Sequence, residues 1–120
     1  MQRYTTFEYL YRDASNYKGW GGIILVGILT ESDEKLIKQR LESGEFFIAE
    51  QIGIPSLYEQ LWQYSNGQQT EDDHVWHTAH RFHEASPSDF ANFSVWGTVE
   101  EFVAKILMVR EWNLSLSPNY

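Results

Sequence analysis

Residues 23–29 read I-I-L-V-G-I-L, a run with no charge and one glycine. A short stretch that is apolar on every position predicts a strand covered on both faces, hence one in the centre of a sheet. It is far too short to cross a bilayer, which takes about 20 residues. The segment before it supplies a partner. Residues 3–12 (R-Y-T-T-F-E-Y-L-Y-R) are rich in aromatic and β-branched side chains and alternate. Phe7, Tyr9 and Tyr11 fall on one face; Tyr4, Thr6, Glu8 and Leu10 fall on the other. Residues 13–16 (D-A-S-N) have turn chemistry, because Asp and Asn bond their own backbone. Glycines at 19, 21 and 22 point to a bulge or a close backbone approach. The simplest arrangement is a long antiparallel hairpin with a protruding loop.

Helices follow from capping signals. Thr30 stands three residues before Asp33, the spacing of a capping box, and predicts a helix over residues 32–43. Leu36, Ile37 and Leu41 form its expected inward stripe, and Gly44 its stop. Residues 45–49 (E-F-F-I-A) predict a short strand broken by Gly53 and Pro55. Ser56 is placed to cap a short helix over residues 57–64, followed by a loop at 65–70. Residues 85–89 predict a turn and 93–96 a short strand. Thr98-Val-Glu-Glu101 is a complete capping box, so a helix starts at Val99. Its core face is Val99, Phe102, Val103, Ile106 and Val109, and Asn113 ends it. The expectation is one α+β domain over residues 1–113, a mostly antiparallel sheet with helices packed on one face, and a loose C-terminal tail at 114–120.

Charge limits the partners. Seventeen acids against nine Lys and Arg give a net charge of −8. Phosphate backbones and anionic membranes repel such a surface, so neither nucleic acid nor membrane is an expected partner; a protein with a basic surface is. The chain has no cysteine, which excludes disulfides, thiolate catalysis and Cys-ligated zinc. The first residues lack a signal-peptide pattern, and with the missing cysteines this points to the cytoplasm. Aromatic residues make up 16% of the chain, enough to furnish both a core and a recognition face.

All four histidines lie in one stretch, E-D-D-H-V-W-H-T-A-H-R-F-H-E at 71–84. Its Val, Trp, Thr and Phe favour a strand over a helix. Strict alternation would put His74, Trp76, Thr78, His80 and Phe82 on one face. Val75, His77, Ala79, Arg81 and His83 would take the other. A metal reading uses His74 and His77 as ligands, with Asp72 or Asp73 adding oxygens. A hydrolase reading uses His77 or His80 as general base, oriented by Asp72, Asp73 or Glu84, with Ser15, Ser86 or Thr78 supplying a hydroxyl. The chain has no nucleophile elbow, no H-E-x-x-H and no P-loop, so no catalytic role is assigned and no cofactor is implied. The plainer alternative is four polar side chains beside aromatic rings.

A recognition loop is the other candidate. Asp13, Tyr17, Lys18 and Trp20 form a compact polar stretch with two ring anchors. Together with Asp72, Asp73 and Trp76 they make the expected partner-binding surface, the two segments meeting at one end of the sheet. The patterns Y-R-D-A-S-N-Y-K at 11–18, G-E-F-F-I-A-E-Q-I-G-I-P at 44–55 and D-D-H-V-W-H at 72–77 resemble those of a small bacterial family of uncharacterised single-domain proteins. The resemblance spans most of the chain up to His77 and implies a small stand-alone bacterial protein. It carries no activity. The expected function is therefore that of a small acidic protein-binding module, of accessory, immunity or inhibitor type.

Overall fold

The computed structural model describes residues 2–12, 18–58 and 74–117. Among these residues five strands form one sheet: β1 (Tyr4–Arg12), β2 (Lys18–Val26), β3 (Phe46–Phe47), β4 (His77–Glu84) and β5 (Val95–Thr98). Their order is β3-β4-β1-β2-β5. All neighbours are antiparallel except β2 and β5, which are parallel. The helices are α1 (Glu31–Arg40), α2 (Ala49–Ile52), α3 (Pro87–Asn92) and α4 (Val99–Leu107), with a 3-10 turn at Leu114–Leu116. The class is α+β, as expected.

The hairpin forms in the register Tyr4↔Val26 to Arg12↔Lys18. Its second strand starts earlier than the apolar run, because the glycine-rich segment is itself strand. A Cβ on Gly21 would stand 2.6 Å from Leu57 Cδ2, and one on Gly22 would stand 2.9 Å from Phe93 Cε2. The bare backbone lets a side chain press on the sheet from each side. The strand stops at Val26 because Gly27 takes a φ of +110°. β2 lies inside the sheet, as expected of a doubly covered strand, but the middle position belongs to β1.

Phe7, Tyr9 and Tyr11 point into a core with Ile23 and Leu25 of β2, Ile37 and Leu41, and Phe102 and Ile106 of α4. Phe7 is its hub: its ring stacks on Phe82 at 4.6 Å and lies 5.3 Å from both Tyr9 and Phe102. Thr30 and Asp33 cap α1 reciprocally, and Thr98 and Glu101 do the same for α4. Helix α1 is shorter than expected. Leu41 is extended, and Ser43 and Gly44 have positive φ, which turns the chain into β3. Leu36, expected inside, is 41% exposed, so the stripe reduces to Ile37 and Leu41. Helix α4 ends at Leu107 rather than near Asn113.

Two short helices were not anticipated. α2 ends on Gly53 in the left-handed region, φ 72°, so the glycine that breaks the strand also closes a helical turn. α3 has Ser86 as cap, Pro87 in its first turn and Asp89 completing a capping box. It lies on the sheet face opposite α1 and α4: Thr6 Oγ1 donates to Asp89 Oδ2 at 2.9 Å, and Phe90 meets Tyr4 edge-on. Of the expected helix over 57–64, Leu57 and Tyr58 are buried and non-helical, and the remainder lies outside the described residues. The tail, expected to be loose, is exposed over residues 114–116 but anchored at Ser117, which is buried and whose hydroxyl meets Tyr58 Oη at 3.2 Å.

Candidate functional site

A bulge decides where the histidines go. Tyr9 faces Ala79 and Glu8 faces Arg81, so His80 is an extra residue in β4. Beyond it the alternation shifts by one. Phe82 joins His77 and Ala79 on the core side, stacked on Phe7, while Arg81 and His83 turn outward with Thr78. The strict two-face assignment is thus corrected for Arg81, Phe82 and His83.

His77 is fully buried, ringed by Tyr9, Tyr11, Phe47 and Tyr58. Its Nε2 accepts from the Leu57 N–H at 2.9 Å, so the ring is neutral with its proton on Nδ1. Its pKa is lowered to about 3, chiefly by burial and also by the neighbouring His74, against the opposing effect of the Val75 carbonyl. His74 is half-buried. Its Nε2 donates to the Arg12 carbonyl at 2.5 Å and its Nδ1 accepts from the Trp76 N–H at 3.0 Å. Both His74 nitrogens are therefore engaged, and so is Nε2 of His77. These hydrogen bonds tie His74 to the end of β1 and His77 to the segment at Leu57. Asp72 and Asp73 lie outside the described residues.

The expected partner surface is described in part. Asp13 and Tyr17 lie outside the described residues. Lys18 is exposed, and Trp20 is 51% exposed on the outer face, its ring 5.1 Å from that of His80. Trp76 is half-buried and meets Trp112 edge-on at 6.4 Å. His74 bonds to both Tyr11 and Arg12, so its segment and the hairpin end do meet at one end of the sheet.

Two features emerge only in three dimensions. The first is a cluster on the outer face made by Glu8, His83 and Asp89, from β1, β4 and α3. One candidate ligand atom from each lies within 4.8 Å of the others. Glu8 Oε2 accepts from Arg81 Nε, and its Oε1 stands 3.4 Å from His83 Nε2. The Arg81 hydrogen bond, against the opposing effect of burial, keeps the Glu8 carboxyl below its usual range. Burial alone would raise Asp89, but hydrogen bonds from Ser86 and Thr6 outweigh it and hold that carboxyl low as well. Alternation placed Glu8 on the outer face, and the Ser86–Asp89 spacing could have marked α3. No local signal joins either residue to His83.

The second is a groove beside β4. Along β4, the two-residue β3 pairs with His77 and Thr78, and the Ala79 N–H still reaches the Glu45 carbonyl. Past that point, among the described residues, β4 has a strand neighbour on the β1 side alone. The Ala85 N–H points inward to the Tyr4 carbonyl, so by alternation Phe82 and Glu84 present their backbone N–H and C=O outward. Between this edge and α1 runs a groove of about 530 Å³ lined by Glu34, Lys38, Leu41, Glu45, Arg81 and Phe82. Lys38 pairs with Glu34, Arg81 with Glu8 and Arg3 with Glu84. Glu31 and Glu45, near either end, have no cationic partner among the described residues.

No helix among the described residues is long and apolar enough to cross a membrane. The chain matches no protein-family model, and comparison with curated proteins and with solved structures finds no match.

Proposed function

We propose that this chain is a small acidic protein-binding module that takes an extended, basic segment of a partner protein onto the free edge of β4. Accessory, immunity or inhibitor action would follow from that capture, with no catalytic step. Membership of the small bacterial family, and a cytoplasmic setting, belong to the same proposal. The observation that carries it is the edge beyond Ala79, with outward backbone groups at Phe82 and Glu84 and α1 as the opposite wall. An added strand would continue the track of β3, gaining ladder hydrogen bonds from the backbone and side-chain pockets from the groove. Glu31 and Glu45 favour Lys or Arg at its ends, and the charge of −8 speeds encounter with a basic partner.

The test is fluorescence anisotropy with a labelled peptide of alternating Lys and Val. Glu84→Pro removes one outward N–H and leaves the β1 ladder intact. Binding should weaken about tenfold, the equivalent of one hydrogen bond at roughly 1.4 kcal/mol. Trp20→Ala should leave it unchanged. If Trp20→Ala weakens binding and Glu84→Pro does not, the interface is the hairpin end with Lys18, Trp20 and Trp76, and strand addition is wrong.

A further inference from the structure

We propose that Glu8, His83 and Asp89 form a binding site for a first-row divalent metal ion on the outer face of the sheet. The argument starts from the imidazole. His83 Nδ1 donates to the Glu84 carbonyl at 2.9 Å, which leaves the lone pair of the neutral ring on Nε2. That nitrogen is buried and has no hydrogen-bond partner among the described residues. It faces Glu8 Oε1 at 3.4 Å. A buried nitrogen lone pair held against a carboxylate oxygen repels it unless a positive centre lies between them. A tetrahedral ion with bonds of about 2.0–2.2 Å sets its ligand atoms roughly 3.3–3.6 Å apart, the spacing of His83 Nε2 and Glu8 Oε1, while Asp89, its Oδ2 3.8 Å from His83 Nδ1, would close in on the ion by a small side-chain rotation.

The surroundings suit an ion. The other oxygen of Glu8 is held by Arg81, and Asp89 Oδ2 receives the Thr6 hydroxyl and the Ser86 N–H. Carboxylate ligands are commonly oriented by such outer hydrogen bonds. One imidazole and two carboxylates without sulfur select zinc, manganese, iron(II) or cobalt, and exclude soft copper(I). Three protein ligands leave a position open for water. The His83 and Glu8 side chains are 28% and 21% exposed, so an ion can enter. The rival occupant of the gap is a proton, which would make His83 an imidazolium held between two carboxylates.

Chelator-treated protein would be titrated with cobalt(II), whose visible bands report its ligands, and with zinc by calorimetry. One equivalent should bind. His83→Gln and Glu8→Gln should each weaken binding by at least about tenfold, and His80→Gln should leave it unchanged. Metal-free melting curves would confirm that the variants fold. Manganese(II) broadening of the wild-type amide spectrum needs no variant, and should erase the signals of Glu8, His83 and Asp89 first. Protein that takes up no cobalt or zinc overturns the proposal and leaves the proton. Binding that survives His83→Gln, that is lost in His80→Gln, or whose broadening centres on His74 overturns it equally.

Discussion

The Nε2 atom of His77 takes the backbone N–H of Leu57 at 2.9 Å inside the hydrophobic core. An imidazole there closes a hydrogen bond that a Phe or Leu would leave open, and it must stay neutral to do so.

That requirement makes stability depend on pH. The unfolded imidazole titrates near 6.5, and the folded one is pushed down to about 3. Above pH 6.5 both states are neutral and His77 adds no slope. Between about 6.5 and 3 the unfolded chain binds a proton that the folded chain refuses, so stability falls as pH falls, by about 1.4 kcal/mol per pH unit. The depressed carboxyls of Glu8 and Asp89 also favour the fold at neutral pH, but their contribution is lost only at lower pH. Urea titrations of wild type and His77→Gln between pH 5 and 6.5 should therefore diverge, the wild type being the steeper. Parallel curves would contradict a neutral buried His77.

The two adjacent glycines of β2 should differ under substitution. At Gly21 the clash is with a methyl of Leu57, at the end of a side chain that can turn. At Gly22 the new carbon meets the Phe93 ring at 2.9 Å and the Phe7 carbonyl at 3.0 Å, and the backbone cannot yield. Gly22→Ala should cost about 1–3 kcal/mol and Gly21→Ala less, as measured by chemical unfolding. The reverse order would mean that Leu57 is the more rigid neighbour.

Phe82→Ala and Trp20→Ala report on the direction of β4. With the bulge in place, Phe82, partly buried, stacks on Phe7 and its loss should cost about 2–3 kcal/mol, below the range for a fully buried ring. Trp20, half in solvent, should cost less than about 1 kcal/mol. Similar small values for both would indicate a regular strand with Phe82 facing outward.

What could be foreseen follows the range of the interaction. The capping pairs Thr30–Asp33 and Thr98–Glu101 act within one turn, and both helix starts were legible. Ser86–Asp89 has the same spacing, but Pro87 and two serines suggested a turn, so α3 was missed. The alternation of Phe7, Tyr9 and Tyr11 was readable because β1 is regular over its pairing with β2. The glycine stretch was not readable as strand, since its reason is Leu57 on one side and Phe93 on the other. His83 could not be joined to Glu8 and Asp89, because its direction depends on a bulge that exists only once β4 has paired with β1. Nor does spacing reveal which nitrogens of His74 and His77 are already in use.

The residue that β4 carries in excess at His80 has a consequence for changes in chain length. Deletions inside strands normally invert everything downstream. Here, removing His80 joins Ala79 to Arg81 in a plain pleat, with Arg81 and His83 still outward and Phe82 still inward. Inserting one residue between Arg81 and Phe82 would do the opposite, expelling the Phe82 ring and driving His83 toward Phe102. This strand should accept a one-codon loss at His80 and refuse a one-codon gain two positions later.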